Sequence, residues 1–254
     1  MITTTKVKDN IIACDKQMSK PQKIIDYGAE WFLGPSNSKP LQTCLSEAQE
    51  KGNKFIVAFD YCTDNGVTKV YGSYKNAKRF WKETKTINVE DRCFYVVVPT
   101  DTPCCLYADL EWDLSWKSIQ EISDKFVEVV QETLELVDVR VPKENFLFAT
   151  ASEISTNKGS LHVHVPNIFF TGIEDQKRFF NAVKIKLDTN DEWSFIDQTD
   201  KSYILKSFID FGVYNKNRQI RLPYSSKRSR KDGIGKRPLI PFDGDSFDIT
   251  EWAI

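Results

Sequence analysis

Alternation of apolar and polar residues is clearest in the middle of the chain. Lys54-Phe55-Ile56-Val57-Ala58-Phe59-Asp60 is rich in β-formers, and Asp64-Asn65-Gly66 is a strong hairpin turn before a second run, Val67 to Tyr74. Cys93 to Pro99 and Cys104 to Asp109 predict two strands around a proline-containing turn. Phe146 to Ser152 and Leu161 to Val165 predict two more, and Ile204 to Leu222 at least one. Helical spacing marks Leu41 to Lys51 (stopped at Gly52-Asn53), Asn76 to Lys85 with an aromatic face, Ser118 to Val137, and Gln176 to Lys186. Residues 1–30 read as helical or irregular, with Trp31-Phe32-Leu33-Gly34-Pro35 closing the segment at a turn. The order β-β-α-β-β-α, then strands, predicts an α+β protein with helices on one side of its sheets.

Composition narrows the class. The 254 residues are 41% hydrophobic and 28% charged, which excludes collagen, a coiled coil and a mostly disordered chain. That length accommodates one large domain or two small ones sharing an interface. No segment approaches the ~20 consecutive apolar residues of a membrane span. MITTTKVKDN runs into IIACDKQ without a signal peptide's apolar region, so an intracellular protein without a membrane partner is expected. The cysteines, Cys14, Cys44, Cys62, Cys93, Cys104 and Cys105, form no C-x-x-C pair. Free, mostly buried thiols and no structural zinc are the expectation.

Near-neutral net charge conceals an uneven distribution. From Lys216 to Arg237 nine basic residues face a single acid, Asp232, leaving the rest of the chain nine charges negative. A concentrated basic segment on an acidic body suggests contact with phosphate or nucleic acid, or alternatively a solvated loop.

Three segments carry candidate chemistry. In Leu106-Tyr107-Ala108-Asp109-Leu110-Glu111-Trp112-Asp113, side chains two apart share a face, so Asp109 and Glu111 project together, with Asp113 a further candidate. Adjacent carboxylates repel unless a cation lies between them, and oxygen ligands suit Mg²⁺ or Mn²⁺; a strand end entering solvent would also place them so. In Lys158-Gly159-Ser160-Leu161-His162-Val163-His164-Val165, Ser160, His162 and His164 share one face and the aliphatic residues the other. A hydroxyl, an imidazole and a lysine can hold phosphate oxygens; a zinc pair, for which no third nitrogen or sulfur ligand is obvious, or half-buried strand residues would give the same pattern. The third segment runs from Ser207 to Leu222 and on to Lys227; it joins Asp210 at the end of an apolar run to Arg218 and Arg221, and alone it also reads as an ordinary strand and a basic turn.

Taken in order, a D-x-E strand, an S-x-H strand and a late D-x-x-V-Y-x-x-N-R-x-x-R-L strand resemble the archaeo-eukaryotic primase superfamily. The likeness is to primase-polymerases (PrimPol) and the related herpes- and poxvirus-type replication primases; it spans roughly Phe55 to Lys227 and is most specific at the third strand. It implies a two-lobed catalytic core. Residues 1–100 would form N-terminal helices and a small α/β lobe, 101–245 an RRM-like module with the metal strands, and 246–254 the end. By the same resemblance Asp109, Glu111 and Asp210 would hold two Mg²⁺ or Mn²⁺ ions, and Lys158, Ser160, His162, Arg221 and Lys227 the incoming dNTP or NTP. Tyr95 would lie beneath the sugar and favour deoxynucleotides. Lys69, Arg218, Arg228, Arg230 and Lys231 would contact a single-stranded DNA template and primer. The implied activity is that of a DNA primase-polymerase, a nucleotidyltransferase. A single-strand-binding module without chemistry, or a metal-dependent nuclease, would share some of these features. The cysteine/histidine knuckle that follows the core in PrimPol is absent. The resemblance therefore implies a compact member, or a longer chain carrying a zinc knuckle or helicase elsewhere.

Overall fold

The structure, a computed structural model, describes residues 20–63, 66–189, 191–196, 205–228, 235–242 and 249–252. Its elements in chain order are β1 (Gln22–Asp26), β2 (Ala29–Leu33), α1 (Pro40–Lys51), β3 (Phe55–Thr63), β4 (Gly66–Tyr74), α2 (Ala77–Thr84), β5 (Phe94–Val98), β6 (Cys104–Asp113) and α3 (Ile119–Glu135). There follow β7 (Leu147–Thr150), β8 (Lys158–Phe170), α4 (Ile173–Asp188), β9 (Ser194–Ile196), β10 (Leu205–Ser207), β11 (Arg218–Arg221), β12 (Lys227–Arg228), β13 (Gly235–Lys236) and β14 (Ile240–Pro241). The class is α+β, built on two antiparallel sheets ordered β1-β2-β4-β3-β5-β11 and β14-β7-β8-β6.

Local chemistry accounts for the helix ends. Gly52, at φ 66°, closes α1 in the left-handed region where glycine carries no Cβ penalty. Asn76 starts α2 by accepting a hydrogen bond from Arg79 N, and Ser118 with Glu121 forms a reciprocal capping box on α3. The apolar stripe of α3 (Ile122, Phe126, Val130) packs with Phe180 and Val183 of α4 against the second sheet, Phe126 and Phe180 stacking at 6.1 Å. Cys44 and Ala48 of α1 cover Ile56, Ala58 and Val97 on one face of the first sheet. The other face of that sheet shares one continuous core with the second sheet, from Trp31 and Val57 through Leu110 to Phe180. Among the described residues no helix is long and apolar enough to cross a membrane.

Several expectations are corrected here. Residues 22–33 are a β-hairpin, not helix: Asp26 pairs with Ala29 around Tyr27-Gly28, both at positive φ (46° and 67°), a two-residue turn whose twist suits paired strands. The strands on either side of the Pro103 turn do not pair with each other; β5 belongs to the first sheet and β6 to the second. The segment 207–222 is not one strand. Phe208–Asp210 lies beside β6, a 3-10 turn occupies Phe211–Val213, and β11 returns to the first sheet beside β5. Asp64 and Asn65, in the expected hairpin turn, lie outside the described residues.

Candidate active site

Pairing of β6 with β8 sets the centre of the site. In this register Asp109 faces His162, Glu111 faces Ser160 and Asp113 faces Lys158, so D-x-E-x-D lies against K-x-S-x-H residue by residue. The other edge of β6 carries Phe208–Asp210: Glu111 N donates to Phe208 O and Asp210 N to Asp109 O, each at 2.8 Å. Two buried tyrosines hold this edge. Tyr107 Oη donates to Val213 O (3.0 Å) and Tyr214 Oη to Tyr107 O (3.1 Å). These tyrosines were not among the expected site residues. Their signal is a pair of polar-tipped rings in otherwise apolar runs, Tyr107 two residues before Asp109 and so on its face. Close approach also shapes β8: a Cβ on Gly159 would sit 2.3 Å from the Trp112 indole, so only glycine fits between Lys158 and Ser160. Ser160 is fixed through its backbone, Ser152 Oγ accepting from its N–H and donating with Thr150 Oγ1 to its carbonyl.

The electrostatics are those of a crowded anion set. Asp109 is 17% exposed at its side chain, and among the described residues its Oδ1 has no hydrogen-bond partner; His162 Nε2 lies 3.6 Å away. Burial, then the Glu111 and Asp210 charges, push the Asp109 carboxyl up to about 7. Lys158 Nζ holds Glu111 Oε1 at 2.7 Å, and Asp210 Oδ1 accepts from Gly212 N at 2.8 Å. With those two carboxylates turned to partners of their own, no group of three among the described residues is closed into a ready ligand shell. The donor set nonetheless fits a divalent cation. Three hard oxygens lie on adjoining backbone positions, and one is an orphaned, largely buried carboxylate oxygen that a positive charge would satisfy.

Around His162 the charge reverses. Burial holds this imidazole well below its usual range, reinforced by Arg221, Arg218, Lys158 and Lys227. It is therefore neutral near pH 7, a hydrogen-bond donor among cations. Arg221 is 9% exposed, its Nη1 donating to Arg237 O at 2.9 Å, and it lies opposite Tyr95 in the β11–β5 register. The first sheet thus brings Arg221 to the carboxylates of the second.

Beside them lies a groove of about 600 Å³ lined by Asp60, Lys69, Tyr95, Arg218 and Lys227, among others. Tyr95 Oη donates to Asp60 Oδ2 (2.8 Å), and Lys69 Nζ sits 3.1 Å from the Tyr95 ring centroid and 2.6 Å from Asp60 Oδ1. Burial, opposed by Asp60, brings the Lys69 amine down to about 8. Arg228 is engaged with Asp91 Oδ1 (3.4 Å) and Cys62 Sγ (3.6 Å). Arg230 and Lys231 lie outside the described residues.

His164 is separated from this chemistry. The expected polar face of β8 is buried like its apolar face: His164 is 0% exposed, neither ring nitrogen has a hydrogen-bond partner among the described residues, and the ring packs on Trp252 at 5.3 Å. Burial pulls its pKa down to about 3. An unfolded histidine titrates near 6.5. The stability held by neutral His164 is complete above that pH and is lost as pH falls toward 3, by about 1.4 kcal/mol per pH unit. His164→Phe, which keeps the ring and removes the proton site, should lose less stability on acidification. Urea midpoints at neutral and mildly acidic pH test this, and an identical acid loss in both proteins would refute it. No known family profile and no curated protein matches the chain.

Proposed function

We propose that the chain is a DNA primase-polymerase core of the archaeo-eukaryotic primase type, with the two sheets as its two lobes and template-directed nucleotidyl transfer as its reaction. The observation that carries this reading is a set of three carboxylates around the orphaned, buried Asp109 oxygen, set against a cation set around neutral His162. A nucleotidyl transfer site needs both, one for metal ions and one for a triphosphate. Bound at Asp109, Glu111 and Asp210, two Mg²⁺ or Mn²⁺ ions would supply Lewis-acid activation of a 3′-hydroxyl and neutralisation of the departing pyrophosphate.

The chain's own residues do the positioning. His162 donates a ring N–H, Ser160 its hydroxyl, and Lys158, Arg221 and Lys227 their charges to the phosphate oxygens, holding the α-phosphorus in line with the hydroxyl. The hydroxyl gives its proton to water, a bond forms between its oxygen and that phosphorus, the bond to the bridging oxygen breaks, and pyrophosphate leaves. Lys158 exchanges its contact with Glu111 for phosphate, releasing that carboxylate. Lys69 and Arg218 line the adjoining groove and would meet template or nucleotide phosphate.

A primer-template extension assay with dNTP and Mn²⁺, run beside a template-only reaction, tests the activity, and nucleotide with Mn²⁺ should raise the thermal midpoint. Shortening of the oligonucleotide would instead indicate a nuclease, and binding without turnover a single-strand-binding module. Tyr95, pinned by Asp60 and covered by Lys69, is held rigidly enough to exclude a 2′-hydroxyl. Discrimination on the order of 10–200-fold in favour of dNTP is expected. It is measured as the dNTP/NTP ratio of kcat/KM in wild type and Tyr95→Ala; a ratio that does not fall assigns the ring to packing.

A further inference from the structure

Helix α2 and the turn before it carry a second concentration of positive charge, which the carboxylate site does not use. Lys75, Lys78, Arg79, Lys82 and Lys85 are all exposed and, with Asn76 and Trp81, line an open groove of about 730 Å³. The Asn76 cap sets the phase of the helix, and the lysines then recur every three or four residues, the spacing that puts side chains on one helix face. Glu83 is the acid within α2 and is taken by Arg79 at 2.7 Å. Among the described residues the four lysines have no carboxylate, whereas Lys23, Lys51, Lys117, Lys125, Lys143 and Lys186 each hold one. Such a row of like charges is repulsive in the free protein, and a polyanion relieves it.

The surroundings favour one polyanion. None of the exposed large hydrophobic residues, Ile25, Leu136, Val137, Ile154, Phe169, Ile185 and Ile240, lies on α2, so the helix has no apolar anchor for a membrane. Trp81 is stacked on Tyr224 at 6.0 Å and lies under the Arg92 guanidinium at 5.0 Å; its ring is a wall held by protein partners. The chain joining Arg221 to Lys227 passes here, through the Tyr224 stack and the bond from Ser226 Oγ to Val89 O. The segment that links Arg221 to Lys227 therefore packs against Trp81 of α2.

We propose that the α2 groove is a second nucleic-acid site, which binds the sugar-phosphate backbone of a single strand without reading its bases. Regularly spaced cations along a groove follow a phosphate backbone, and a tryptophan already engaged offers no base platform.

The test is fluorescence anisotropy of the full chain with labelled single-stranded oligonucleotides, one all-thymidine and one of mixed sequence. No metal ion or nucleotide is added, so the readout is independent of the transfer chemistry. The variants are K78E/K82E/K85E and K78Q/K82Q/K85Q, at exposed positions, with the thermal midpoint checked for each. Charge reversal should weaken binding roughly tenfold or more at low salt. The neutral variant should fall between, with its slope of log affinity against log salt shallower by about 2, near 0.7 per lost contact. Both oligonucleotides should be affected alike. Unchanged affinity and slope in both variants would overturn the proposal. So would a loss confined to one oligonucleotide, or wild-type binding to phosphatidylserine vesicles that exceeds its binding to the oligonucleotides.

Discussion

Replacing Asp109 with asparagine should abolish nucleotide transfer and leave the fold intact. Asp109 is the carboxylate at which burial and two neighbouring negative charges converge, and among the described residues its Oδ1 has no partner of its own. Metal charge stabilisation is worth several kcal/mol, so losing it should cost at least roughly a thousandfold in extension rate. The same change should not weaken the metal-free protein, because it removes a repulsive charge. The pH dependence has a definite sign. With a carboxyl held near 7 in the folded state and near 4 in the unfolded chain, the folded state binds more protons between those values. This group's contribution to stability is then full below about pH 4 and lost as pH rises through about 7. Asp109→Asn should flatten that slope, and Mn²⁺ should flatten it in the wild type alone. Extension that persists within tenfold of wild type, or a Mn²⁺ shift that survives in the variant, would remove Asp109 from the metal assignment.

Replacing Arg221 with methionine should raise the KM for nucleotide ten- to a hundredfold, the cost of one charge-assisted contact to phosphate. Arg221 is nearly buried, opposes Tyr95 in the first sheet, and acts electrostatically on both His162 and Asp109. Lys227→Ala, at an exposed position, should raise KM in the same direction with no loss of stability. Steady-state kinetics at saturating primer-template separate the outcomes. If Arg221→Met lowers the unfolding midpoint and leaves KM unchanged, the guanidinium serves only to hold the Arg237 carbonyl. If Lys227→Ala weakens template affinity and spares KM, its charge belongs to the strand and not to the triphosphate.

Elements specified by near neighbours were legible in the sequence. Gly52 after Leu41–Lys51 and the Ser118/Glu121 pair ahead of Ile122 mark helix ends because capping is settled within one turn. Asp109 and Glu111 share a face because strand alternation is local, and the segment resembling D-x-x-V-Y does bring Asp210 beside them. The hairpin at 22–33 was missed because Tyr27-Gly28 is a weaker turn signal than Asn-Gly, and β1 is only half-buried, with little apolar contrast. The burial of His164 depends on distant packing in the same way. Alternation places it beside His162, but only packing shows that Trp252, 88 positions later, covers it.

The sequence by itself determined most element types outside 22–33 and 207–222 and the shared face of Asp109 and Glu111, which follow from periods of two and 3.6 residues, and its composition showed the gathering of positive charge late in the chain. Tertiary structure alone decided partnership. It put β5 and β6 in different sheets although five residues separate them, sent Arg218–Arg221 back to the first sheet, and engaged Arg228 with Asp91. Among the described residues it also left the α2 lysines without acids. Such outcomes depend on which distant surfaces meet, and local periodicity carries no term for that: strand pairing and ion pairing are set by the burial of one shared core.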